Sequence, residues 1–96
     1  MEILVVYDVA TDTLEGQRRL RHVAHICEGY GQRVQKSVFE CVLDPGQLEQ
    51  LLARLAQEID HEADSIRVYR LREPRGQFLR TLGIEPSFDL RDTLLF

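Results

Sequence analysis

Residues 3–7, Ile-Leu-Val-Val-Tyr, form an unbroken apolar run that is closed by Asp8. Such a run, without polar alternation, reads as a strand over residues 2–8 that is apolar on both faces and therefore central in its sheet. The acid at its end is the tightest constraint in the chain. A buried, unpaired carboxylate costs several kcal/mol or takes up a proton. Asp8 must reach solvent at the strand end, or meet a partner there.

The residues that follow supply two helices and three further strand-like segments. After a break at "ATDT", Asp12 is placed to cap a helix, with Glu15 three residues on to close a capping box. Leu20, Val23, Ala24 and Cys27 then fall on one helical stripe. "EGYG" ends that helix, with Gly29 or Gly31 free to adopt the left-handed terminating conformation. "RVQKSVFECVL" is strand-like, but Val34 lies in one phase and Phe39, Cys41 and Leu43 in the other. That phase change predicts a bulge, a bend or a tight reversal around residues 36–38.

Asp44-Pro45-Gly46-Gln47 is a strong helix start, with a cap, a proline in the first turn and a glutamine to complete a box. Leu48, Leu51, Leu52, Leu55, Ala56 and Ile59 repeat at helical spacing behind it and read as core. "DSIRVYRLR" is a strand, "EPRGQ" a loop and "FLRTLG" a short strand, while the apolar ending "DTLLF" should add to a sheet edge, its own or a partner's. The order β-α-β(β)-α-β, with both helices on one side, is the ferredoxin-like plan of an α+β sandwich. Residues 1–96 read as one ferredoxin-like domain, with 86–96 as a C-terminal extension or strand. A chain of this size buries roughly 60% of the surface its unfolded form exposes, and so gains from dimerisation.

No stretch approaches the roughly 20 apolar residues of a membrane span. The first apolar run has no basic region ahead of it, which argues against a signal peptide and for a cytoplasmic protein. Cys27 and Cys41 lack metal-ligand spacing and read as free, buried thiols. A net charge of −4 excludes indiscriminate coating of nucleic acid. Its distribution is more informative, because every basic residue but Lys36 is arginine. Arg18, Arg19 and Arg21 cluster early, and Arg67, Arg70, Arg72, Arg75 and Arg80 late, while Glu58, Asp60, Glu62 and Asp64 form an acidic turn. Arginine's planar fork suits phosphate contact, although a solvated, ion-paired surface gives the same counts. His22 and His25 lie one helical turn apart without a third ligand in view and read as polar-face residues; His61 reads as solvated.

Three stretches taken together, "VVYDV", "EGYGQRVQKSVFEC" and "DSIRVYRL", resemble the CRISPR-associated protein 2 family in order and spacing over essentially the whole chain. The resemblance implies a two-fold homodimer in which the segment "DTLLF" crosses to the neighbour's sheet. It implies a divalent metal at Asp8, and nucleic-acid contacts at Arg18, Arg19, Arg21, Arg33, Ser37 and Phe39. It further implies a CRISPR adaptation protein that bridges subunits of the CRISPR-associated integrase and holds duplex DNA. A metal-dependent endonuclease acting on single-stranded RNA or DNA is the alternative capacity associated with the family.

The residues give that implication a chemistry. If the first strands of two copies abut, two Asp8 carboxylates face each other across the axis. They repel unless a cation joins them, and Mg²⁺, which accepts one or two carboxylates and keeps several waters, suits the position. The plainer alternative is that Asp8 caps a turn or pairs with an arginine. Phe39 is either a base-stacking platform or, as aromatics in alternating strands usually are, core. A ferredoxin-like domain that binds a regulatory small molecule would want a glycine-lined anion loop in place of arginine clusters, so the sequence disfavours it.

Overall fold

The computed structural model describes residues 1–84; the segment 86–96, expected to act as an added strand, lies outside them. The elements are β1 (Glu2–Asp8), α1 (Leu14–Glu28), β2 (Gly31–Gln35), β3 (Val38–Val42), α2 (Pro45–Glu58), β4 (Ser65–Arg70) and a single helical turn, α3 (Arg75–Phe78). The strands form one antiparallel sheet in the order β2-β3-β1-β4, which is the ferredoxin-like arrangement expected. β1 is interior, paired to β3 on one side and β4 on the other.

Alternation along β1 sorts its side chains onto two faces. Ile3, Val5 and Tyr7 point into the core, joined by Val9 just beyond the strand. There they meet Phe39, Cys41 and Leu43 from β3 and its exit, Val23, Ile26 and Cys27 from α1, and Leu51 and Leu55 from α2. Both cysteines are free and buried, and burial pushes the thiols up to about 12 at Cys27 and about 11 at Cys41. Such thiols carry no thiolate at neutral pH and pack as small apolar groups. The leucine stripe of α2 is narrower than its spacing suggests: Leu48, Leu52 and Ile59 are half-buried and Ala56 is exposed.

The start of α2 forms as expected. The Asp44 carboxylate accepts from the Gln47 amide at 2.7 Å, and Gln47 Oε1 accepts from the Asp44 amide at 2.9 Å. Asp44→Ala should therefore cost about 1 kcal/mol, lowering the thermal midpoint by roughly 4–8 °C in a domain of this size. A melt at fixed protein concentration checks it.

Three local expectations are corrected, and one left open is decided. The cap of α1 is Thr13, whose hydroxyl accepts from the Gly16 amide at 3.0 Å; Asp12 and Glu15 form no box. Gly16 lies against the Ala10 carbonyl, where a Cβ would overlap backbone, so this contact sets where the helix begins. Neither Gly29 nor Gly31 is left-handed: Gly29 stays right-handed at φ −73°, and Gly31 is already in β2. Gly31 is required for space instead, because a Cβ there would strike Cys41 Sγ and the Glu40 carbonyl. The phase change after Val34 is a tight reversal between β2 and β3, with a register irregularity between Arg33 and Gln35. Finally, "FLRTLG" is not a strand: α3 and an irregular stretch occupy residues 75–84. The chain is held off strand geometry by Arg75, whose amide donates to Glu2 at 2.8 Å and whose guanidinium lies 3.7 Å from Glu40.

Candidate functional site

Helices cover one face of the sheet, and the opposite face carries the even-numbered side chains of β1. Leu4 and Val6 lie there, followed by Asp8 at the strand tip. Pairing places Val38, Glu40 and Val42 of β3 alongside, with Ser65, Arg67 and Tyr69 of β4 on the other flank. Val42 is 66% exposed and Tyr69 44%, although both are large apolar-bodied residues beside half-buried Leu4 and Val6. The face is thus mixed, with Leu4, Val6, Val38, Val42 and Tyr69 set among Glu40, Arg67 and Ser65, and with Asp8 at one end. Asp8 is exposed, stands opposite Ser65, and makes no side-chain hydrogen bond or ion pair with a described residue. Tyr7 points the other way, into the core, as alternation requires.

The tip of β1 is held closely. The Tyr7 amide donates to the Ser37 carbonyl at 3.1 Å, and the Tyr7 hydroxyl donates to the Lys36 carbonyl at 3.2 Å. The Ala10 amide donates to Asp64 Oδ1 at 3.0 Å. Asp64 Oδ2 accepts from Arg19 Nε at 2.8 Å and from the Asp60 amide at 2.9 Å. Burial works to raise the pKa of Asp64, but the Arg19 guanidinium and the two amides outweigh it and hold the carboxyl below its usual range. β1's exit, the β2–β3 turn, the start of β4 and the first turns of α1 therefore converge around Asp8.

The other anticipated contacts divide. Arg18 and Arg21 are exposed on α1 and form no ion pair with a described residue. Arg19 is committed to Asp64. Arg33 lies against the core, its guanidinium 5.2 Å from the centre of the Phe39 ring and 3.7 Å from Glu28. Ser37 is in the turn and contributes its carbonyl to Tyr7. Phe39 is corrected outright as a stacking platform: at 0% exposure, paired inward opposite Val5, its ring has no open face for a base. His22 is not idle, since Nδ1 meets Glu58 Oε1 at 2.6 Å and ties α1 to α2. His61 is exposed, but its Nε2 is 2.7 Å from the Ala56 carbonyl oxygen. Asp64 was hidden in the acidic turn; the one signal for it was its place immediately before a strand, where Asp8 stands at a strand's end.

Among the described residues, no group of three or more His, Cys, Asp or Glu side chains converges on one point. Asp8 thus stands at the strand tip without a cluster of ligands around it, and a carboxylate pair from two copies would suit the one or two carboxylates that Mg²⁺ accepts. Among those residues, no helix is long and apolar enough to cross a membrane.

Fold and site together define a small ferredoxin-like domain whose central strand ends in a solvent-facing acid, on a sheet face that the described residues leave partly open. Residues 1–77 match the family described as CRISPR associated protein Cas2. The chain is 52% identical over 89 residues to the CRISPR-associated endoribonuclease Cas2 1 of Moorella thermoacetica, covering 93% of each chain. It is 48% identical to the CRISPR-associated endonuclease Cas2 of Halalkalibacterium halodurans over the full length of both. The crystal structure of Streptococcus pyogenes Cas2 superposes with a TM-score of 0.79 at 51% identity, covering 86% of this chain and 100% of that one. The chain belongs to the Cas2 family, as its motifs implied.

Proposed function

We propose that this protein acts in CRISPR adaptation as a two-fold homodimer that bridges integrase subunits and holds duplex DNA, with Mg²⁺-dependent phosphodiester cleavage at paired Asp8 residues as a second capacity. The observation that carries this is the position of Asp8, exposed at the tip of the central strand on a sheet face where Val42 and Tyr69 are left exposed by residues 1–84. Stacking two such faces about a two-fold axis removes Val42 and Tyr69 from water and brings two carboxylates together. Arg18 and Arg21, on the helix that starts from the same end of β1, would meet a phosphate backbone irrespective of sequence. Nuclease activity is supported by the names of the relatives, which are called endoribonuclease or endonuclease.

The role of each residue follows. Asp8 of each copy would hold the ion, and the exposed arginines would hold the strand in place. Mg²⁺, when bound there, would supply phosphate polarisation and an activated water. The test compares wild type with Asp8→Ala, with Mg²⁺, on labelled single-stranded RNA and duplex DNA at two salt concentrations. Wild type should cut one of the substrates, and the variant should cut at least about 100-fold more slowly, as expected when several kcal/mol of metal stabilisation is lost. Retention of duplex DNA should fall with salt equally in both proteins. Equal cleavage by the two proteins would remove Asp8 from the chemistry; salt-dependent binding with no cleavage by either would leave the scaffold role alone.

A further inference from the structure

We infer that Asp64 is a positioning residue for Asp8: its buried carboxylate holds the chain that leaves the strand tip and so sets where the Asp8 side chain stands. This rests on the reading of Asp8 as a metal ligand. Asp8 has no side-chain partner of its own among the described residues, so its placement depends on the backbone at either side. On the near side, Tyr7 is buried and doubly tied to the β2–β3 turn. On the far side Val9 is buried, and Ala10 is gripped from two directions: its amide donates to Asp64, and its carbonyl lies under Gly16 of α1.

Asp64 is built for this task. Its side chain is 0% exposed, and it faces only donors. Oδ1 takes the Ala10 amide and Arg19 Nη2, at 3.0 and 3.4 Å; Oδ2 takes Arg19 Nε and the Asp60 amide, at 2.8 and 2.9 Å. The next residue, Ser65, is the cross-strand partner of Asp8 itself. One carboxylate therefore joins β1's exit, α1, the turn before β4 and the first residue of β4. An asparagine has nearly the same shape, but it must turn an NH₂ toward two of those donors, which then lose their acceptor. The strand tip would then relax away from its place. A displaced ligand weakens a metal site even where no ligand has been removed.

The test uses Mn²⁺ as the probe, with its dissociation constant measured by water-proton relaxation on the intact protein, alongside the Mg²⁺ half-saturation of cleavage. Asp64→Asn should remain folded, with a dispersed amide spectrum in which the Ala10 resonance has moved. It should bind Mn²⁺ about ten-fold more weakly than wild type, with the Mg²⁺ half-saturation rising by the same factor and the rate at saturating Mg²⁺ restored. A purely structural role would lower the melting temperature and leave the metal constant unchanged. Folded Asp64→Asn that binds Mn²⁺ within two-fold of wild type overturns the inference. Should that variant not fold, Arg19→Gln, which leaves the Ala10 and Asp60 amides on Asp64, decides by the same criterion with a smaller expected shift. Mn²⁺ binding that is identical in wild type and Asp8→Ala overturns the reading of Asp8, and with it the positioning.

Discussion

Phe39→Ala is expected to destabilise the protein by about 3–5 kcal/mol, enough to remove much of the roughly 5–15 kcal/mol that holds a domain together. The ring is fully buried in the middle of the core, offset-stacked against Tyr7 with centroids 6.2 Å apart and capped by the Arg33 guanidinium at 5.2 Å. Truncation leaves a cavity between β3 and the helices that neighbouring strands, fixed by their hydrogen bonds, cannot close. It also strips the cation–π contact from Arg33, whose Nε is already buried without a partner. Chemical denaturation at fixed protein concentration should show the midpoint falling. A loss under about 1 kcal/mol would mean the ring is not packed as described. A Phe39→Leu variant, which refills most of the volume, should recover a large share of the loss.

The second large effect is expected at Gly31→Ala. One added methyl is normally mild, and at a strand position it should even help, because alanine has less chain entropy to lose than glycine. Here the sign reverses. The new Cβ would collide with the Glu40 carbonyl and with Cys41 Sγ, and would come within 3.0 Å of the Cys41 Cα. Two of these atoms belong to the backbone of β3, so relief requires the hairpin partners to separate at the very pair, Gly31 and Cys41, where they are in register. Overpacking of this kind costs about 1–3 kcal/mol, and backbone obstruction places this case toward the upper end. Thermal melts should show the drop, and hydrogen exchange should show it concentrated in β2 and β3. An unchanged or raised midpoint would sink the argument.

Both positions show what a sequence reveals and what it hides. α2 was legible because its signals are local: the cap, the proline and the leucine stripe all lie within one short stretch. The central place of β1 was legible for the same reason, since an unbroken apolar run has few other homes. The start of α1 was not, because Asp12 and Thr13 are both competent caps and the choice between them is made by Gly16 packing on Ala10. The role of Arg19 is set by an acid 45 residues away, so its place in an arginine cluster said little about its partner. Phe39 carried two meanings that strand alternation alone could not separate. The expected strand at "FLRTLG" gave way because Arg75 is held at Glu2, 73 positions earlier. Asp8 was the exception: an acid closing an apolar run announces itself, and the structure sets it at the exposed tip of the strand.

The single acid at the strand tip bears on how much working site a cell could hold. If the centre is shared between two copies as proposed, a chain on its own would carry only half of it. In a two-fold assembly of the proposed kind, the centre is made only when copies meet, so in dilute solution its abundance rises with the square of the chain's concentration and not in proportion to it. Doubling expression would then quadruple the number of complete centres, while two-fold dilution would leave about a quarter of them. Supply of the chain becomes, in effect, the control on its chemistry.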